Sequence, residues 1–529
     1  MAIIEVTSNL DKFTSQLSAH IWGHRFKEGQ RGPEYVLEFL NVLFGTNYSF
    51  GHESYQRRRS VGLRKFIFEG VKEGGGSRDI LVLEEEEKQR LLSAVQEDDV
   101  LVLKQFLRNQ EVVLYNTTGK EADRSWFARS LYPLHESLLY VELRKKGKEL
   151  SFERNFFARG GELYFLMLEL GTEKHEERRK YIEDRFQQLL TKNKVIEKVV
   201  DKITSAFGEE KSKHDPCKLR SSSQDENVPT LPPHASQENE RLFEDFTIEL
   251  EHLLFLDLDI YEMFHLLISL TCFQLARYMH ERALIVPDKF SYFVDCLDGN
   301  NKQISQLSAI SFENHENLIK AKFEHEFEQK MQEMLGSVEQ IEIQLPVWKN
   351  DPEGFFEKMG LSQMRSRKGI IKATLDKCTN ASDVMVKLKN TMREAVSDQL
   401  KKHQLNITRV LSRDGGFATY RRGSASNYRY TISDSFLQML VFTKVKPQEK
   451  MEYYEFLETL YQHYGIVIGE VQAKKSGLYE QSRLNVRYFN DNEKALRDKL
   501  RQNGLLIEFS DATAMIQNPY TRTLEVSYA

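Results

Sequence analysis

Three amphipathic patterns near the C-terminus place the strongest limits on how this chain can fold. Apolar residues recur at three- and four-residue spacing over 434–442, 448–464 and 490–504, which is the period of a helix with one buried face. Two short apolar runs separated by a turn follow over 505–516 and predict a β-hairpin. We therefore expect residues 431–529 to form one compact unit of three helices and a hairpin.

Three helices followed by a hairpin are the element order of a winged helix, a module that binds DNA or assembles proteins. When such a module reads DNA, its third helix enters the major groove and presents basic side chains. The third predicted helix offers Lys494, Arg497 and Arg501 as candidate nucleic-acid-binding residues. The hairpin carries Glu508 and Asp511, where a wing in contact with phosphate favours lysine or arginine. The sequence thus predicts a winged-helix-like unit, and its charges favour protein over DNA as the partner.

Residues 404–430 form a second candidate site, because glycine, arginine and tyrosine are concentrated there. Arginine can bind phosphate and tyrosine can stack on a base, as in proteins that bind single strands. The candidate nucleic-acid-binding residues of this segment are Arg413, Tyr420, Arg421, Arg422 and Arg429. Glycine and serine clusters are also typical of solvated connections, so a plain connection before the C-terminal unit is the alternative. Both interpretations predict a loop over 404–430.

The whole chain is predicted to be mainly α with smaller mixed α/β parts, and to contain several domains. A mixed α/β domain ending in a long helix is expected over 1–207, and a mainly helical domain over 241–403. Residues 208–240 are rich in serine, proline and lysine, which is typical of a flexible linker. The basic loop over 404–430 and the winged-helix-like unit over 431–529 complete this division.

Two local patterns in the N-terminal domain carry further predictions. The charged run over 173–207 indicates one long helix with a short heptad-like pattern, in which Asn193 takes the place of an apolar residue. That helix is interpreted either as a coiled coil or as an amphipathic helix that lies on its own domain. The run over 62–68 is predicted to be a strand with basic residues near its start.

Charge and cysteine usage exclude several classes of protein. The 74 basic and 79 acidic residues give a net charge of −5, so any nucleic-acid-binding surface must be a local patch. The four cysteines are scattered without a CxxC pair, which fits a reducing compartment. The N-terminus has no secretory pattern, and the most apolar stretch, 253–279, contains charged residues that are costly in lipid. We expect a cytoplasmic protein that does not enter a membrane.

The sequence contains no catalytic motif, metal-binding box or phosphate-binding loop of the common kinds. It therefore predicts no catalytic residue, no metal ligand and no cofactor. One alternative is a metal-dependent nuclease, whose core needs an aspartate and a Glu-x-Lys motif on neighbouring strands. Asp79, Glu86 and Lys88 supply these residue types, although the glutamate run around Glu86 has the pattern of a helix.

In its length and lack of motifs, the chain resembles the large accessory proteins of bacterial multi-gene DNA-processing or anti-phage operons. This resemblance implies no site residue. It favours a non-enzymatic subunit of a multi-protein complex that acts on DNA in anti-phage defence. The expected partners are other protein subunits, among them an ATPase or a nuclease, together with DNA. The alternatives are the metal-dependent nuclease and a winged-helix regulator that binds DNA.

Overall fold

A computed structural model describes most of the chain in fifteen ranges. The described residues are 17–18, 20–23, 29–58, 60–71, 80–114, 130–139, 143–146, 149–152, 159–208, 214–219, 237–284, 291–359, 368–420, 428–510 and 513–522. The structure is mainly helical, and the described strands form small sheets of two or three strands. The predicted mainly α fold with smaller β parts is confirmed at this level.

The N-terminal part combines helices with two strand pairs. Its helices are α1 (Gly32–Gly45), α2 (Val61–Ile67), α3 (Glu85–Ala94), α4 (Glu97–Arg108), α5 (Gly160–Thr172), α6 (Glu176–Thr191) and α7 (Lys194–Ala206). Its strands are β1 (Ser54–Arg58), β2 (Leu143–Lys146), β3 (Glu149–Phe152) and β4 (His214–Lys218). β2 pairs antiparallel with β3, and β1 pairs antiparallel with β4.

Long helices dominate the middle of the chain. They are α8 (Gln237–Leu254), α9 (Ile260–Ala283), α10 (Lys302–Leu335), α11 (Val338–Asn350), α12 (Pro352–Lys358), α13 (Lys368–Asp376), α14 (Ala381–Asp383) and α15 (Lys389–Asp414). A π-helical turn over Val384–Leu388 joins α14 to α15 without a break. The short strand β5 (Tyr292–Phe293) precedes α10, and the strands β6 (Ala418–Tyr420) and β7 (Tyr428–Tyr430) form an antiparallel pair after α15.

The C-terminal part alternates short helices and strands. Its elements are α16 (Asp434–Lys444), β8 (Lys450–Glu452), α17 (Tyr453–Tyr464), β9 (Ile466–Val467), α18 (Glu470–Lys475), α19 (Leu478–Ser482), α20 (Val486–Gln502), β10 (Leu506–Ser510) and β11 (Thr513–Gln517). β11 lies between β10 and β8 in an antiparallel three-stranded sheet. β9 pairs in parallel with β5, which attaches this part to the middle of the chain.

Helix α9 lies at the centre of the fold. It packs against α1, α10, α15 and α16, and its residues are buried on nearly all sides, as expected for a helix that is apolar around its circumference. One continuous apolar core extends from Leu17 to Ile516 and includes residues of every predicted domain. No helix within the described ranges is long and apolar enough to cross a membrane.

A buried group of charges joins α8, α9 and α16. Arg277 and Lys444 approach the same oxygen of Glu249 at 3.2 and 3.4 Å, and Gln274 donates a hydrogen bond of 2.7 Å to the other oxygen. Burial by itself raises the pKa of Glu249, but the charges of Lys444 and Arg277 outweigh it and hold the pKa below its ordinary value. The three helices are thus joined by paired charges as well as by apolar packing.

Two local predictions for the N-terminal part are wrong. Residues 61–67 form helix α2 rather than a strand, because Leu63, Phe66 and Ile67 lie at helical spacing and bury one face in a small separate core. The long helix expected over 173–207 is two helices, α6 and α7. The helix is interrupted at Asn193, because the side chain of this residue accepts a hydrogen bond from the backbone of Ile196 and caps α7.

The predicted linker and the predicted basic loop also differ from the structure. Residues 214–218 of the linker form strand β4, and residues 237–240 belong to α8. The remaining linker residues, apart from Gly208 and Leu219, lie outside the described residues. A loop over 404–430 is wrong at both ends, because α15 continues to Asp414 and β6 and β7 form a hairpin. The domain borders themselves stay a prediction.

Candidate functional site

Arg413 and Tyr420 make contacts inside the protein. Arg413 donates from Nε to Oδ1 of Asp414 at 2.7 Å, and Oδ2 of the same carboxylate accepts a hydrogen bond of 2.9 Å from the backbone of Gly32. The ring of Tyr420 packs on that of Tyr428, with centroids 5.3 Å apart. Both residues therefore help to hold the end of α15 and the β6–β7 hairpin against the body of the protein.

Arg429 is buried and paired rather than presented to a ligand. Its Nε donates to Oδ2 of Asp295 at 3.0 Å, and only 10% of its side chain is exposed. A guanidinium in this position cannot reach a phosphate without breaking that pair. Arg421 and Arg422 fall outside the described residues.

The basic residues predicted on the third helix, which is α20, have different surroundings. Lys494 is exposed on this helix. The guanidinium of Arg497 lies over the ring of Tyr453, 4.5 Å from its centroid. Arg501 contacts Asp498 at 2.7 Å and Glu508 of strand β10 at 2.8 Å. Of these three cations, only Arg501 forms an ion pair among the described residues.

The outer face of α20 balances its own charges. Arg487 lies 3.8 Å from Asp491, one turn before Lys494, and Arg501 bridges Asp498 and Glu508. We call this set the α20 face, and it consists of Arg487, Asp491, Lys494, Asp498, Arg501 and Glu508. Three positive and three negative groups alternate along it, so its net charge is zero. Such a surface gains little from the release of counterions, which is the main source of affinity for DNA.

The residues of the nuclease alternative do not assemble. Glu86 and Lys88 lie in the first turns of helix α3 rather than on a strand, and Asp79 is outside the described residues. The neighbouring Glu87 is used by Lys65, which contacts it at 2.8 Å. Where the structure describes the chain, no cluster of three His, Cys, Asp or Glu side chains could hold a metal ion.

Sequence reasoning missed a cleft between α10 and the α18–α19 segment. It has a volume of about 820 Å³ and is lined by uncharged residues alone. Its lining consists of Ser291, Gln303, Gln306, Leu307, Ile310, Ser311, Asn314, His315, Asn317, Leu318, Ser476, Leu478, Gln481, Ser482 and Leu484. We call it the amide cleft, because five asparagine and glutamine side chains line it.

The floor of the amide cleft is held by hydrogen bonds to the core. Ser311 donates to the carbonyl of Ser291 at 2.9 Å and accepts from the backbone of Phe293 at 3.1 Å. The Nδ1 atom of His315 lies 2.5 Å from the hydroxyl of Tyr430. Burial, with the neighbouring His280, places the pKa of His315 well below its ordinary value, so the imidazole is neutral at neutral pH.

The sequence signal for this cleft was weak. Gln303, Gln306, Asn314 and Asn317 lie along one side of α10, which as a pattern is a solvated helix face. The opposite wall comes from residues about 476–484, and no periodicity relates two segments that far apart in the chain. The concentration of neutral amides over 303–317, which Glu313 and Glu316 interrupt, was the one available indication.

The fold and its surfaces define a mainly helical protein with a central buried helix, a charge-balanced C-terminal face and an uncharged cleft. Residues 252–520 match the model of a family described as methylation-associated defense system protein MAD7, and they make up half of the chain. The chain belongs to this family and is therefore a component of a defence system. Neither the curated proteins nor the solved structures provide a match to the chain.

Proposed function

We propose that this chain is a non-enzymatic subunit of a multi-protein complex that acts on DNA in anti-phage defence. Its C-terminal part would bind another protein of the system, and that partner, an ATPase or a nuclease, would supply the chemistry. The observation that carries this proposal is the α20 face, where cations that could bind phosphate are balanced by carboxylates of the same surface.

The topology of the C-terminal part supports a winged-helix module. The order is helix, strand, helix, helix and hairpin when β9, α18 and α19 are counted as an insertion before α20. Strand β8 pairs with β11, which in turn pairs with β10. In this comparison α20 is the third helix and the β10–β11 hairpin is the wing.

An exposed aromatic residue on the wing favours protein as its partner. Phe509 of strand β10 is 65% exposed, directly after Glu508, which pairs with Arg501. Large aromatic side chains that enter a pocket of a partner are frequent anchors of protein interfaces. A wing that followed a phosphate backbone would instead carry cations.

The test is partner binding by a variant of the wing. Phe509→Ser should remove or strongly weaken co-purification of the partner, because an anchor in the centre of an interface contributes about 2 kcal/mol or more. Val195→Ser on helix α7 is the matched control, since that valine is 70% exposed and lies outside residues 252–520. The control should retain the partner at the level of the unchanged protein.

Two results would contradict the proposal. One is equal partner binding by both variants and the unchanged chain, which would remove the wing from the interface. The other is tight binding of duplex DNA by the isolated chain with a steep dependence on salt, which would indicate a DNA-binding regulator.

A further inference from the structure

We propose that the amide cleft binds an uncharged, extended peptide segment of a partner protein. This inference rests on the proposed function of the chain as a subunit of a complex, and it gives the complex a second contact besides the wing. The cleft lies within residues 252–520, the part of the chain that defines its family.

The dimensions of the cleft fit an extended peptide. Its lining along α10 runs from Gln303 to Leu318, which corresponds to about 23 Å at the rise of an α-helix. An extended chain covers that length with about seven residues. The volume of about 820 Å³ lies within the range of ligand-binding clefts in proteins, about 300–1,000 Å³.

The amide side chains suit the backbone of such a peptide. Gln303, Gln306, Asn314 and Asn317 are exposed along α10, and Gln481 is exposed on the opposite wall. Within the part of the chain that the structure describes, none of these side chains makes a hydrogen bond to the protein. Each offers two N–H donors and one carbonyl acceptor, so it can pair with a peptide N–H and C=O together.

Apolar side chains between the amides provide contacts for the peptide side chains. Leu307 and Ile310 lie on α10, and Leu478 and Leu484 lie on the other wall. Ile310 is 45% exposed, which leaves apolar surface for a ligand to cover. Alternate side chains of an extended peptide point to one side, so every second residue can enter this apolar surface.

The composition of the lining argues against nucleic acid. It contains no lysine or arginine to hold phosphate and no phenylalanine, tyrosine or tryptophan to stack on a base. Recognition of single strands relies on both groups. An uncharged peptide needs neither, and burying it leaves no unpaired charge in the cleft.

The floor of the cleft is already ordered. His315 and Ser308 each hydrogen-bond Tyr430, through its hydroxyl and its carbonyl respectively. Ser311 is hydrogen-bonded to Ser291, just before β5, and to Phe293 within it. A ligand therefore does not have to organise α10 when it binds. A preformed site loses less affinity to ordering than a flexible one does.

The test uses overlapping peptides from the other proteins of the same defence system, each long enough to span the cleft. The full chain is screened against them, and each binding peptide is measured again by fluorescence anisotropy. We expect a peptide with an uncharged central segment to bind. Gln306→Glu and Ile310→Asp should each weaken it by about tenfold or more, because each variant places a charge where the peptide excludes water.

Gln332→Glu is the matched control. Gln332 is exposed on α10 as well but lies outside the cleft, so the same substitution should change peptide affinity by less than about twofold. Equal effects of Gln306→Glu and Gln332→Glu would overturn the proposal. Competition of the peptide by a labelled single-stranded oligonucleotide would also overturn it and indicate a nucleobase site.

The two proposals fail in different ways. If no peptide binds while full-length partners still co-purify with the chain, the cleft proposal is wrong and the subunit function stands. If neither a peptide nor any partner binds, the subunit function is wrong as well. Loss of partner binding in Phe509→Ser alone, with peptide binding unchanged, supports two separate contacts.

Discussion

Arg429 donates from Nε to Oδ2 of Asp295 across 3.0 Å, and the side chain of Asp295 is completely buried. The other oxygen of Asp295 accepts a hydrogen bond of 2.9 Å from the backbone of Leu297. The pair joins the β6–β7 hairpin to the segment that follows β5. A residue that the sequence assigns to nucleic acid therefore has an internal role.

Replacing Arg429 with methionine should destabilise the protein strongly. The substitution leaves the Asp295 carboxylate buried without its cation, which typically costs about 3–5 kcal/mol. The free energy of unfolding in urea is the measurement. Arg487→Met, at an arginine that is 85% exposed, is the control and should have little effect. If Arg429→Met lowered the free energy of unfolding as little as the control does, the Arg429–Asp295 pair would be dispensable for stability.

Stability should fall in mild acid because His280 and His315 are buried and neutral. Burial lowers the pKa of His280 from 6.5 to about 3, and the pKa of His315 also lies well below its ordinary value. Below about pH 6.5 the unfolded chain takes up protons that the native protein does not bind. The stability is therefore complete above that pH and is lost as the pH falls towards the native pKa values.

The expected slope is up to about 1.4 kcal/mol per pH unit for each histidine. His280→Asn should reduce the slope of unfolding free energy against pH by the contribution of about one proton taken up on unfolding. Asparagine can keep a hydrogen bond to Tyr292, whose hydroxyl lies 2.7 Å from Nδ1 of His280. The exposed His265 provides the control variant His265→Asn. An unchanged slope in His280→Asn would show that His280 does not cause the acid sensitivity.

Gly171→Ala should destabilise the contact between α5 and α8. A Cβ atom there would lie 2.1 Å from the carbonyl oxygen of Phe243, so a backbone must shift, at a cost of about 1–3 kcal/mol. Gly369→Ala in helix α13 is the control, since nothing lies within 4 Å of its Cβ position. Alanine is favoured over glycine inside a helix, so the control should gain up to about 1 kcal/mol. Thermal unfolding should show a lower midpoint temperature for Gly171→Ala and an equal or higher one for Gly369→Ala. A Gly171→Ala variant as stable as the unchanged protein would contradict this packing.

Charge reversal on the α20 face should leave DNA affinity unchanged. Lys494→Glu and Arg501→Glu alter a surface whose charges already cancel, so no phosphate contact is lost. The measurement is anisotropy of a labelled duplex over a range of salt concentrations. A loss of affinity together with a shallower salt dependence would instead support recognition of DNA by the third helix.

Local patterns in the sequence predicted most of the helices. The spacing of Leu437, Leu457 and Leu496 identified α16, α17 and α20, because an amphipathic helix shows its period in its own residues. The same approach was wrong over 62–68, where a short apolar run fits either a strand or a buried helix. It also placed Asn193 inside one long helix, whereas this residue caps the start of α7. The position of a cap depends on where the helix begins.

The candidate site was less predictable than the fold. Arg429 and Asp295 are 134 residues apart, and the burial that pairs them is a property of the tertiary structure. Arg501 appears in the sequence as a free cation, although Glu508 neutralises it across the start of the hairpin. The walls of the amide cleft come from α10 and α19, and no sequence pattern relates them.

The most direct test of the subunit function is affinity purification of the tagged chain from a host that carries the whole defence system. The eluate is compared with and without nuclease treatment, and its proteins are identified by mass spectrometry. We predict that other proteins of the system co-purify in a fixed ratio that nuclease does not change. Recovery of the chain alone, or with partners that nuclease removes, would contradict its function as a protein-binding subunit.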